Sequence, residues 1–113
     1  MKRDMSLVRK LILSLEDIAL PIESDELDLE VDQDSIDCHL RLMIEAGLIT
    51  GTTTRGGVIV SRLTWAGHDF ADASRDDVVW KKAIRHIGER TKSVTFDVLI
   101  SVLKGILTKT LSD

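Results

Sequence analysis

Apolar residues recur at helical spacing over residues 3–17, where Met5, Val8, Leu11, Ile12 and Leu15 alternate with charged positions. That spacing predicts a helix with one buried face. Pro21 blocks any continuation. From 27 to 32 the period falls to two: Leu27, Leu29 and Val31 alternate with Asp28, Glu30 and Asp32. This predicts a short strand with one wet face. The helical period returns in DQDSIDCHLRLMIEAGLI, residues 32–49, with Ile36, Leu40, Met43 and Ile44 facing inward. Asp34 or Ser35 can cap this helix by accepting from a free backbone N–H. Gly47 stands where a helix end takes a left-handed residue. Leu48 and Ile49 then lead into a strand.

TGTTTRGGVIVSRLT, residues 50–64, reads as a hairpin. Threonines and β-branched residues flank a turn at Arg55-Gly56-Gly57, where glycine supplies positive φ. Thr64 caps the next helix, whose inner face is Ala66, Phe70 and Ala73. The charges at 75–77 predict a kink or a restart near Ser74, with Asp76 or Asp77 capping the helix that follows. That helix runs from Val78 to Arg90 with Trp80, Ile84 and Ile87 inward. A last helix starts about Thr95. Its Phe96, Leu99, Val102, Leu103, Ile106 and Leu107 form a wide apolar stripe, and Lys104 and Lys109 suit the negative end of its dipole. The fold class is therefore mostly α with a small antiparallel β-hairpin.

Composition narrows the class. A chain of 113 residues is one domain's worth and can bury a real core. The 43% apolar and 30% charged fractions are those of a globular protein. No apolar run approaches the ~20 residues that span a bilayer. The opening MKRDMSLVRKLILSL has a basic head, but Arg9 and Lys10 interrupt its apolar run and no small-residue cleavage site follows. It reads as an amphipathic helix of a cytoplasmic protein. Cys38 is the only cysteine, which excludes an internal disulfide and a thiolate zinc site built by one chain.

The net charge of −4 is unevenly spread. Residues 22–37 hold eight acids and no base; residues 78–113 sum to +4, leaving −8 for residues 1–77. A protein wrapped all round by nucleic acid would not look like this, although a restricted basic face could still touch phosphates.

Candidate chemistry centres on LTWAGHDFADASRDDVVW, residues 63–80. His68 and Asp72 are four apart and share a helix face, and Asp76 follows if the helix continues. Two ligands at that spacing could hold a metal, but a stable site needs about three or four protein ligands. His39 and His86 sit on other elements. A solvated helix with a His68–Asp72 pair is the simpler reading. Adjacent Asp76 and Asp77 point about 100° apart on a helix, which disfavours a proton-sharing dyad. Arg75 pairs with Asp72 three residues back. Trp65 and Trp80 could stack on bases, but at helical spacing they read as core anchors, Trp65 against the hairpin. His39 either reaches a base or phosphate, or packs its ring and bonds a nearby carbonyl. No nucleophile elbow, GxxxxGK[ST] or GxGxxG is present, so the chain reads as noncatalytic and cofactor-free.

A helix ending in EAGLI, then a hairpin, then LTxxG resembles a winged-helix domain, in which the helix before the hairpin faces DNA. Residues 1–90 would form this domain, and residues 91–113 a helix packing on it or on a partner copy. The acidic LDLEVDQD stands where such domains place a supporting helix, so that helix is missing or reduced to a turn. Three blocks in order, MKRDMSLVRKLIL, HLRLMIEAGLI and LTWAGHDFADASRDDVVWKK, also resemble a phage- and prophage-associated bacterial family, domain of unknown function 2513. That resemblance implies fold and genomic setting but no activity. Cys38 stands where the family shows an aromatic residue, which argues against essential thiol chemistry.

The scaffold implies a transcription regulator that binds double-stranded DNA as a homodimer. Its contacts would be His39, Arg41, Arg55, Arg62, Lys81, Lys82 and Arg85. The outward positions of the presented helix are Ser35, Asp37, Cys38, Arg41 and Glu45, an acidic set for that task. The alternative is a protein-interaction module on the same scaffold. Glu26, Glu30 and Asp32 would meet a basic protein partner, as a nucleic-acid mimic or phage accessory factor does. The stripe of Leu99, Val102, Leu103 and Ile106, if uncovered, would seat a second copy.

Overall fold

In the computed structural model, which describes residues 3–90 and 96–112 and the side chains of 3–87 and 98–107, helix α1 spans Met5–Glu16. Asp4 starts it by accepting from the N–H groups of Ser6 (2.9 Å) and Leu7 (3.3 Å), donors that the first turn of a helix leaves unpaired. The predicted stripe is buried as read, together with Leu7.

The next segment departs from its alternating pattern. Residues 27–31 are not a strand. The strand lies earlier, as β1 (Ile22–Glu23), paired antiparallel with the hairpin through Ile22↔Val60 and Glu23↔Ile59. A single 3-10 turn, Ser24–Glu26, ends the pairing. Glu26 closes this turn by accepting from the Glu23 N–H at 3.0 Å, and the buried Ser24 hydroxyl accepts from the Val58 N–H at 3.1 Å. These bonds turn the chain away from the sheet edge before Leu27. Leu27 is buried and Leu29 and Val31 half-buried with no ladder to join. Between α1 and the next helix the chain thus has one short turn and no second full helix.

Helix α2 spans Gln33–Glu45. Its cap is Asp32, not Asp34 or Ser35. Asp32 has extended backbone, and its carboxylate accepts both the N–H and the hydroxyl of Ser35, each at 3.0 Å. Ser35 is the donor in this cap. The C-terminus closes as read: Gly47 has φ 78°, its N–H reaches the Ile44 carbonyl, and the Leu48 N–H reaches that of Met43. This is a Schellman motif, with Leu48 and Met43 both buried as its apolar contact.

Strands β2 (Ile49–Thr54) and β3 (Gly57–Leu63) form the hairpin, turning at Arg55-Gly56. Of the turn glycines, Gly57 is the one at positive φ (145°). The register shifts after Thr50, leaving Ser61 as an extra residue on β3. With β1 the sheet has three strands in the order β1-β3-β2, one more than the hairpin alone. Both α1 and α2 pack on it. Leu11, Ile12, Leu15, Ile36, Leu40, Met43, Ile49 and Val60 are buried to 2% exposure or less.

Helix α3 (Trp65–Ser74) starts at Thr64, as expected. The Thr64 hydroxyl accepts from the Gly67 N–H at 3.1 Å and donates to the Gly47 carbonyl, and its N–H bonds Leu48 O. One threonine therefore caps α3 and ties it to the end of α2. The inner face of α3 is Gly67, Phe70, Ala71 and Ser74, with Ala73 beside it; Ala66 is exposed. The face is rotated from the expected one because Gly67 lies flat on the Leu48 carbonyl, where a Cβ has no room. Trp65 is 84% exposed and is no core anchor.

The chain divides into two compact units, residues 1–71 and 72–113. In the second, Asp76 caps α4 (Asp77–Arg90) through the N–H groups of Val78 (2.8 Å) and Val79 (3.0 Å). Val79, Trp80, Ala83 and Ile87 are buried, whereas Ile84, expected inward, is 36% exposed. Helix α5 (Phe96–Ser112) packs on α4, with Leu99 and Leu103 fully buried. The expected start at Thr95 and the side chains of Phe96 and Lys109 lie outside the described residues. The architecture is mostly helical with a small antiparallel sheet. Among the described residues no helix is long and apolar enough to cross a membrane.

Candidate interaction surface

Helix α2 turns its apolar residues to the core and carries two polar ones with them. His39 is 2% exposed. Its Nε2 lies 2.9 Å from the Asp4 backbone nitrogen, which can only donate. Nε2 therefore accepts, the ring proton sits on Nδ1, and Nδ1 donates to the Ser35 carbonyl at 2.7 Å. His39 ties the start of α1 to α2, with both ring nitrogens engaged within the fold. Asp37, expected outward, is also buried. Its Oδ1 accepts from Gln33 Nε2 at 3.0 Å, and its carboxylate lies against Gly57, where an added Cβ would sit 3.3 Å from each oxygen.

With these two removed, the outward strip of α2 is Asp34, Cys38, Arg41 and Glu45, of which Cys38 and Arg41 are half-buried. The segment leading into the helix is more acidic. Asp17, Glu23, Asp25, Glu26, Asp28, Glu30, Asp32 and Asp34 are all exposed, and no Lys or Arg stands between Lys10 and Arg41. Hydrogen bonds from the backbone N–H and then the hydroxyl of Ser35 hold the Asp32 carboxyl below the usual aspartate value. Glu26, Glu30 and Asp32, the three acids expected to meet a partner, are all exposed.

The expected basic contacts are carried by different elements of the two units. Arg55 is exposed at the hairpin tip beside Thr52, Thr53 and Thr54. Arg62 is exposed on β3 and donates to the Leu63 carbonyl at 3.3 Å. Lys81, Lys82 and Arg85 are exposed on α4, in the other unit. Of the α5 stripe, Leu99 and Leu103 are buried within the chain, and Val102 and Ile106 are half-buried.

The pair expected at His68 and Asp72 does not form. His68 Nδ1 lies 3.6 Å from Glu16 Oε2, and Asp72 instead takes Arg75 Nη2 at 2.9 Å. Among the described residues no cluster of three or more His, Cys, Asp or Glu side chains is placed to hold a metal. The histidine amid aspartates belongs to the outer side of a helix. What the pattern concealed was Trp65, whose place at the start of α3 looks like a buried position by spacing alone.

An "Uncharacterized protein" of Haemophilus influenzae is 28% identical over 118 aligned positions, covering 99% of this chain and all of that protein. No solved structure matches the chain. The model of the family described as "Hypothetical protein (DUF2513)" matches residues 2–94, and the chain belongs to that family.

Proposed function

We propose that residues 1–71 are a winged-helix-like scaffold, noncatalytic, that binds a basic protein surface through its acidic face. The order helix, strand, turn, helix, hairpin, with the strand paired to the hairpin, supports the scaffold. One observation carries the binding reading: eight consecutive charged residues, Asp17 to Asp34, are all acidic and all exposed. A like-charged field of this kind repels phosphates and attracts cationic partners. A nucleic-acid mimic or phage accessory factor acting in the cytoplasm is the form this would take.

DNA binding is the second reading, favoured by the hairpin tip. Arg55 and the exposed threonines could grip a backbone, with Arg62 behind them. As a regulator, the protein would bind as a homodimer. Titration of a labelled mixed-sequence duplex and a labelled Lys/Leu amphipathic peptide separates the two. The acidic-face reading expects the peptide to bind, with loss in Glu30→Lys/Asp34→Lys, and the duplex not to bind at low salt. Duplex binding that disappears in Arg41→Ala and Arg55→Ala would overturn it in favour of DNA.

A further inference from the structure

Beside the C-terminus of α1 lies an open groove of about 330 Å³. Its floor is apolar: Ile18, Ile22, Leu27 and Leu29. Its rim includes Asp17 and Asp28, and no base lines it. Ile18 is exposed, and Ile22 and Leu29 are half-buried. A partner filling it must present aliphatic side chains flanked by cations.

The outer face of α4 has that composition. Val78 is 61% and Ile84 36% exposed. Lys81 and Arg85, both exposed, follow Val78 at i+3 and i+7 and so share its face, with Ile84 at its edge. Residues 78–87 contain Lys81, Lys82 and Arg85 and no acid. The two surfaces are opposite in sign, each carries uncovered apolar side chains, and every chain supplies both in equal number.

We infer that the protein self-associates, the acid-rimmed groove of one copy receiving the cationic face of α4 of a second copy. This rests on the acidic-face reading and names its occupant. Each copy carries both halves, so two copies that exchange them reciprocally form a twofold dimer. Apolar contact at the groove floor supplies area, and the rim charges set register and sign.

Sedimentation of the full chain, whose monomer mass is 12.6 kDa, tests this. Wild type should be dimeric near 100 µM at low salt and dissociate as salt screens the rim. Asp17→Lys/Asp28→Lys and Lys81→Glu/Arg85→Glu should each weaken the dimer by about tenfold or more. An equimolar mixture of the two variants should regain the dimer, since a basic groove then meets an acidic helix; such rescue also shows that both variants are folded. A monomeric wild type, or a dimer indifferent to both reversals, overturns the inference. A cationic amphipathic peptide separates this from the broader reading. If it binds a monomeric wild type and not Asp17→Lys/Asp28→Lys, self-association fails and the acidic-face reading stands; if it binds neither, both fail.

Discussion

His39→Ala is the substitution that best separates a structural from a nucleic-acid-facing helix. The ring is 2% exposed, accepts the Asp4 N–H and donates to the Ser35 carbonyl. Truncation deletes two hydrogen bonds at roughly 1 kcal/mol each. Asp4 is exposed, so water can reach its N–H and that loss sits at the lower end of the range. The vacated ring volume adds roughly 1–2 kcal/mol, for a total of about 3 kcal/mol. His39→Gln keeps an oxygen able to accept from Asp4 and should lose about half as much. Urea unfolding followed by circular dichroism reads both losses as a shift in midpoint at constant slope. A long-range proton–nitrogen spectrum of wild type should show the proton on Nδ1. An Ala variant within about 1 kcal/mol of wild type would show that these two bonds do not hold α1 to α2. So would one with unchanged stability but weaker duplex binding.

Other outcomes follow from single contacts. The Asp32 carboxyl is depressed when folded, so the unfolded chain binds the extra proton first. The stability that Asp32 contributes is therefore complete above the unfolded aspartate value, near 4, and lost as pH falls through the lower folded value. Asp32→Asn keeps a cap and should show a shallower acid-side loss than wild type in pH-dependent urea unfolding. Gly67→Ala and Gly105→Ala should shift stability in opposite directions. The first forces a Cβ onto the Leu48 carbonyl and should cost about 2 kcal/mol. The second meets nothing within 4 Å in a helix and should gain up to about 1 kcal/mol. Trp65→Ala should leave stability within about 0.5 kcal/mol and remove the iodide-quenchable fluorescence. Trp80→Ala, at a buried site, should cost about 3 kcal/mol or more.

The helices were legible because each is a long amphipathic run with a local stop: Pro21 after α1, Gly47 after α2, Asp76 before α4. Such signals act within a few residues and need no partner. The failures involve tertiary competition. Leu27, Leu29 and Val31 alternate like a strand, but β3 has one free edge and Ile22–Glu23 occupies it. A two-residue strand has no periodicity to detect. Asp37 looked outward by residue type and lies inside, where Gln33 meets its carboxylate; of the two readings open for His39, the packed ring bonding a nearby carbonyl is the one found, with Ser35 and the Asp4 N–H as its partners. Those partners depend on how α1 meets α2, which spacing within α2 does not encode. Trp65 erred in the other direction: Gly67 chose the inner face of α3, and Trp65 fell off it. The acidic surface was visible as composition, but that its acids are exposed required the turn at Ser24–Glu26.

The withdrawal of His39 and Asp37 also bounds how this protein could bind DNA, and the bound is measurable. At 100° per residue, α2 buries a broad arc from His39 through Ile36 to Asp37, and of its Asp, Glu and Arg residues Asp34, Arg41 and Glu45 lie outside that arc. Unit 1–71 can then offer a duplex three cations from the expected set: Arg41, Arg55 and Arg62. Each neutralised phosphate adds about 0.9 to the slope of log affinity against log salt, so these three give a slope magnitude of at most about 3. Adding Lys81, Lys82 and Arg85 raises the ceiling to about 5. The acids beside Arg41 lower both figures. Fluorescence anisotropy of a labelled duplex across a salt series reads the slope directly. A slope well above 5 would require cations outside this set, such as Arg3, Arg9 and Lys10 at α1. The duplex would then lie along α1 and not along α2 and the hairpin, and the acidic face would not govern what the protein binds.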